Sequence, residues 1–253
     1  MGGFSFLYIC FMANGASVLT VYTALQDLVN KDQQGFITPS VFNNFAQVAQ
    51  LNIFNGFFDT LKDSKRNERA NFNPGRDKSL TKRTLEDLSY FSKKATVTKA
   101  SSVFAKPSNL SRIISASTAG SILLDVSTKK PIELCYDEEK IERILISNLS
   151  SPTEEFPIAL VSDDIYVFPT SINKIEIRYY RYPGSRNSSG VVSDSPPQMR
   201  TSALADRDFD LPEHYVSDLV MEIGKLAGVN LRDKDVVDYT SQDVVSKTQA
   251  QNY

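Results

Sequence analysis

"PIALVSDDIYVFPTSINKIEIRYYRY", residues 157–182, is the stretch that decides the fold class of this 253-residue chain. Asp163 and Asp164 stand between two apolar arms, so its first half reads as two strands joined by an acidic turn. In its second half Ile175, Ile177 and Tyr179 alternate with Glu176, Arg178 and Tyr180, the period of two that a strand wet on one face requires. Upstream, β-branched clusters in "SVFA", "RIISAS", "SILLDV" and "PIELCY" are separated by Pro, Gly, Ser and Asn, which predicts more short strands. Between the last of these and residue 157, Asp137 is placed to cap a brief helix through Ile141, Ile144 and Leu145.

Helical periodicity flanks this region on both sides. Val18, Leu19, Tyr22, Leu25, Leu28 and Val29 recur at helical spacing, and Phe42, Phe45, Ala49, Ile53, Phe57 and Leu61 do so again. Between them lies "NKDQQGFITPSVF", residues 30–42, in which Asp32, Gly35 and Ile37 have the offsets of a calcium-binding EF-hand loop. Asn30 occupies the place of the first carboxylate, however, and Val41 that of the closing bidentate glutamate, so no metal is expected there. Thr38-Pro39 reads instead as a hydroxyl cap followed by a proline at the first helical position. Farther on, "NFNPGRD" reads as a turn and "LTKRTLEDLSYF" as a short helix through Leu85, Leu88 and Phe91. Residues 183–209 form a Ser, Pro and Gly-rich excursion of the length that is functional or disordered. Pro212 then opens a helix with Tyr215, Val216, Leu219, Val220, Ile223 and Leu226 on one face, Gly228 ends it, and a thinner stripe through Val236 and Val244 predicts a last helix.

The expectation is an α+β fold in which N- and C-terminal helices form a bundle with an inserted antiparallel β region. Its segments are 1–99, helices and a basic stretch; 100–209, the strands and long loop; and 210–253, helices returning onto the first ones. Phe42, Phe45, Tyr215, Leu219 and Ile223 are expected to share one core.

Composition removes most chemistry. Cys10 and Cys135 have neither the number nor the spacing of a disulfide framework or a zinc site, and His214 is the single histidine. A Ser-His-Asp, Cys-His or multi-histidine site would have to be built on His214, which falls in the first turn of a predicted helix as a surface or packing residue. Asp163-Asp164 and Glu154-Glu155 are adjacent carboxylates of the kind that face water in turns, so a hydrolase built on them is a distant reading. No enzyme, no cofactor and no metal are expected. Residues 4–13 are apolar at nine of ten positions, but no basic residue precedes them and the following "NGASVLTVYTAL" is too polar for a span. No signal peptide or membrane anchor is expected, and Met12 offers a second start.

The formal net charge is −2, yet residues 62–99 carry eleven Lys or Arg against five Asp or Glu, a local +6 that leaves −8 elsewhere. Lys65, Arg66, Arg69, Arg76, Lys78, Lys82 and Arg83 are therefore the candidate interface residues, fitted to dock acidic protein surfaces. Phe72 is the only aromatic residue between 62 and 89, which leaves little platform for single-stranded nucleic acid. A nucleic-acid-binding accessory protein using 62–99 is the alternative.

Three stretches, taken in order, resemble the head-to-tail connector proteins of tailed bacteriophages, in particular the ring or adaptor proteins of short-tailed and crAss-like phages. They are "GFITPSVFNNFAQVAQLNIFNGFF", "SPTEEFPIALVSDDIYVFPTSINKIEIRYYRYP" and "DFDLPEHYVSDLVMEIGKLAGVNLRDKDVVDY". The resemblance implies a structural virion protein assembled in the host cytoplasm as a homo-oligomeric ring of twelve subunits. Its partners would be the portal protein, other tail ring proteins and double-stranded DNA passing through the lumen, with no membrane.

Overall fold

The computed structural model describes residues 15–31, 37–70, 74–119, 129–187, 189–200 and 205–227. The apolar run 4–13, the loop through Asp32 and Gly35, the "SILLDV" strand, Gly228 and the last predicted helix lie outside the described residues. The chain divides into two compact units, one built from Met1–Leu85 with Pro183–Tyr253 and one from Glu86–Tyr182.

In the first unit α1 (Val18–Lys31) and α2 (Pro39–Arg69) appear where apolar periodicity placed them. Thr38 is extended (φ −73°, ψ 151°), its Oγ1 accepts from the amide of Val41 at 3.4 Å, and Pro39 is the first helical residue. The buried face of α2 is not quite the stripe expected: Ala46, Phe54 and Phe58 join Phe42, Ala49 and Phe57, while Phe45, Ile53 and Leu61 are half-buried. α3 (Pro74–Ser89) begins inside the predicted turn, because Pro74 serves as a helix opener and residues 74–77 are already helical. A three-stranded sheet of β7 (Ser185–Arg186), β8 (Val192–Ser193) and β9 (Asp208–Phe209), in the order β8-β7-β9, gives the long excursion an ordered framework. After one 3-10 turn at Glu213–Tyr215, α5 (Val216–Leu226) buries Leu219, Val220 and Ile223 and packs on both α1 and α2. Phe57 meets Tyr215 edge-on at 5.2 Å, and Phe42 touches Tyr22 at 5.1 Å and Phe209 at 6.5 Å.

The strap formed by residues 183–211 is sewn to α2 through polar side chains two helical turns apart. Asn43 donates to the carbonyl of Met199 at 2.9 Å and accepts from its amide at 2.8 Å. Gln50 donates to the carbonyl of Gly184 and accepts from the amide of Asp210, both at 2.8 Å. The fully buried Asp210 carboxylate in turn accepts from the Gly184 amide at 3.2 Å and from Arg186 Nε at 3.0 Å. Ala16 closes the unit by donating to the carbonyl of Leu211 at 2.8 Å and accepting from Phe209 at 3.0 Å.

The second unit is dominated by a six-stranded sheet. Its members are β1 (Ser92–Thr98), β2 (Leu110–Thr118), β3 (Pro131–Cys135), β4 (Ile158–Val161), β5 (Ile165–Phe168) and β6 (Lys174–Arg181), with α4 (Glu138–Ile146) between β3 and β4. The order is β1-β6-β2-β3-β4-β5; β3 and β4 run parallel and the other pairs antiparallel. The hairpin expected around Asp163-Asp164 is β4–β5, closed by the Ser162 amide on the Asp164 carbonyl at 3.0 Å. Asp137 caps α4, accepting from the amides of Glu139 and Lys140. "SVFA" is not a strand: Ser101 and Ser102 turn at positive φ, and Val103 and Phe104 make only isolated bridges. One face of the sheet closes over Phe104, Ile132, Ile165, Val167, Ile175 and Ile177. On the other face α4 lays Ile141 and Ile144 against Cys135, Ile158, Leu160 and Phe168.

The expected bundle of terminal helices around an antiparallel insert is therefore corrected. The fold is mixed α+β, but its largest element is the six-stranded sheet, which contains a parallel pair, and the helices do not form a terminal bundle. α5 does bring the far end of the chain onto α1 and α2, yet β9 also packs on α1 and the strap is bonded to α2. A 3.6-residue stripe reports which side of a helix is buried and is silent on whether a helix or an irregular backbone covers it.

Candidate functional site

Two surfaces of the sheet unit carry its chemistry. On the face away from the core, Glu176 of β6 sits between Lys94 of β1 at 2.9 Å and Lys129 at 2.8 Å. Alternation predicted a wet Glu176, but only 11% of its side chain is exposed, because the lysines fold over it. The hydrogen bonds from Lys129 and then Lys94 hold its carboxyl below the ordinary glutamate range, against burial, which acts the other way. Two residues to either side on β6, Lys174 and Arg178 are exposed on the same face, Arg178 standing opposite Lys94 and Ser115. Lys94, Lys129, Lys174 and Arg178 share this face with Glu176, and Arg112 stands opposite Tyr180 beyond them.

The second surface lies at the end of α4. Ile146, Leu149 and Phe156 are 82%, 96% and 80% exposed, so three large apolar side chains meet solvent near one end of α4. They adjoin an open groove of about 700 Å³ lined by Pro131, Ile132, Ile144, Pro157 and Ile158. Glu133 is its one ionisable lining residue among those described, so the groove offers apolar contact and no acid–base pair.

The residues singled out from sequence are spread along helices. Lys65 and Arg66 are exposed on α2, and Lys78, Lys82 and Arg83 on α3. Arg69 closes α2 and Arg76 lies in the first turn of α3, their side chains being outside the described residues. The two helices are tied by Thr81 Oγ1 donating to the buried Ser64 Oγ at 3.1 Å, so Lys65 and Lys82 each directly follow that contact in sequence. Neither of the two pockets beside α4 is lined by any of them. The acidic pairs stay apart from one another: Glu154 accepts from Ser171 at 2.7 Å, Glu155 pairs with Lys130 at 2.5 Å, and Asp163-Asp164 form the hairpin turn. The His214 ring lies 4.3 Å from Tyr215, and Cys135 is buried against α4. Among the described residues no group of His, Cys, Asp and Glu is arranged to hold a metal ion, and no helix is long and apolar enough to cross a membrane.

Sequence reasoning missed both sheet-unit surfaces. The cationic face was visible as the polar half of the β6 alternation, whereas Leu149 and Phe156 lie outside any regular period and gave no signal. No protein-family model matches the chain, and no curated protein matches it significantly.

Proposed function

We propose that this chain is a structural virion protein, a subunit of a connector ring joining the capsid portal to the tail of a tailed bacteriophage and lining its DNA passage. The carrying observation is the apolar surface of Ile146, Leu149 and Phe156, exposed beside an open groove lined mostly by apolar residues. Such a surface is costly in water and suits a subunit completed by its neighbours. The order of the three resembling stretches supplies the particular assembly: twelve copies, the portal protein on one side, further tail rings on the other, and double-stranded DNA in the lumen.

The exposed lysines and arginines of α2 and α3 serve in this reading as a docking surface for acidic neighbours. Sizing the purified full-length chain by sedimentation velocity, then imaging the large species, tests the proposal. A closed ring is the expected result; a chain that stays monomeric at high concentration and binds duplex DNA through Lys78, Lys82 and Arg83 would replace it with the nucleic-acid-binding reading.

A further inference from the structure

The outer face of the six-stranded sheet is divided. Over β3, β4 and β5 it is covered by α4, whose Ile141 and Ile144 pack on Cys135, Ile158 and Phe168. Over β6 it remains open, with Lys174 and Arg178 exposed and in no ion pair among the described residues. Beside these cations Ile114, at the β2 bulge, is 43% exposed, and beyond Arg112, which stands opposite Tyr180, Tyr182 is 49% exposed.

The outward side of α4 carries the opposite pattern. Glu138 and Glu142 lie one turn apart and are exposed, and neither is in an ion pair among the described residues, whereas Glu139 is engaged by Arg143. Past these carboxylates the same helix ends in exposed Ile146, followed by Leu149. One surface thus combines cations with exposed apolar side chains, and the other combines two carboxylates with exposed apolar side chains. They cannot meet within one chain, because Ile141 and Ile144 fix α4 over its own half of the sheet.

We infer that the open β6 face of one copy receives α4 and residues 147–156 of the next copy, making a head-to-tail contact. This rests on the ring reading above and deepens it by naming the two halves of the repeating interface. A contact between two different patches generates a closed ring when the rotation closes, whereas a two-fold contact stops at a dimer. Duplex DNA is the weaker occupant of the same face, since a polyanion would satisfy Lys174 and Arg178 and leave Ile146, Leu149 and Phe156 in water.

The test is a charge swap in the full-length chain, followed by mass photometry and sedimentation velocity at low and high salt. Lys174→Glu with Arg178→Glu, and separately Glu138→Lys with Glu142→Lys, should each raise the subunit dissociation constant about tenfold or more. An equimolar mixture of the two variants should reassemble, because the acidic face of one then meets the basic α4 of the other. Lys174→Gln with Arg178→Gln provides a milder variant, expected to assemble between these extremes and to lose the salt dependence, with circular dichroism confirming the fold. Wild-type rings that are indifferent to both swaps would overturn this interface while leaving the ring reading intact. Loss in both swaps without recovery on mixing would also overturn it, as would loss of DNA binding alone with assembly unchanged. A wild-type chain that never associates would remove both conclusions.

Discussion

Gln50 is 1% exposed on α2, and its amide satisfies the Gly184 carbonyl and the Asp210 amide at 2.8 Å each. Gln50→Leu keeps most of the volume and removes both bonds, leaving a buried donor and a buried acceptor unpaired. At about 1–3 kcal/mol for each of the two orphaned groups, the substitution should cost about 2–6 kcal/mol in the helical unit. Gln50→Ala should cost more, by the cavity it opens. Because the chain has two units, one denaturation midpoint would blend their transitions, so the assay is native-state hydrogen exchange read amide by amide. Protection should fall at residues 184–186 and 208–211 and on α2, and stay unchanged at Ile175 and Ile177 of the sheet unit. A Gln50→Leu protein whose strap amides keep protection within about 0.5 kcal/mol of wild type would refute the claim that this side chain holds the strap.

Asn43→Ala should destabilise the same amides by a smaller amount, about 1–2 kcal/mol, because the Met199 backbone it clamps is only partly buried and water can replace the amide in part; the same exchange experiment reads it. A Cβ at Gly184 would meet the Ser193 carbonyl oxygen at 1.9 Å, so Gly184→Ala should abolish the β7–β8 pairing, seen as lost exchange protection of the β7 and β8 amides. Gly56, inside α2 with nothing within 4 Å of its would-be Cβ, should behave oppositely, Gly56→Ala raising exchange protection on α2 by about 0.5–1 kcal/mol. The Glu176 carboxyl titrates below its unfolded value, so its contribution is complete at neutral pH and is lost as pH falls through the folded value. Glu176→Gln should accordingly lower exchange protection in the sheet unit at about pH 7, with the difference from wild type shrinking as the pH is lowered through the carboxylate range. Truncation after residue 210 removes α5 and should leave α1 and α2 unfolded; a stably helical 1–100 fragment would count against their dependence on α5.

Elements set by local chemistry were readable before any coordinates. Thr38-Pro39 and Asp137 carry their own capping logic, and the β4–β5 hairpin and the β6 alternation follow from short-range patterning. What failed depended on sequence-distant partners. The strap looked like loose polar chain because its order comes from Asn43 and Gln50, some 130 to 160 residues away in sequence, and polar residues on a helix face carry no periodic mark of burial. The parallel β3–β4 pair escaped notice for a related reason: α4, correctly read as a helix, is the crossover that makes it possible, but neither strand records its partner's direction. Of the candidate site, the basic residues of α2 and α3 were found as a composition shift, while the sheet face could be recognised only once β1, β6 and Lys129 were set side by side.

The helical unit is assembled from both ends of the chain, with the entire sheet unit encoded between them. During synthesis the sheet unit is complete once Tyr182 has emerged, whereas α2 has to wait for α5, whose last residue is Leu226. At translation speeds of about 5–20 residues per second, the apolar face bearing Phe42, Phe54 and Phe57 stays without its cover for roughly 8–30 s. The nascent chain therefore carries an aromatic face that must stay out of intermolecular contact until the last described helix has been made.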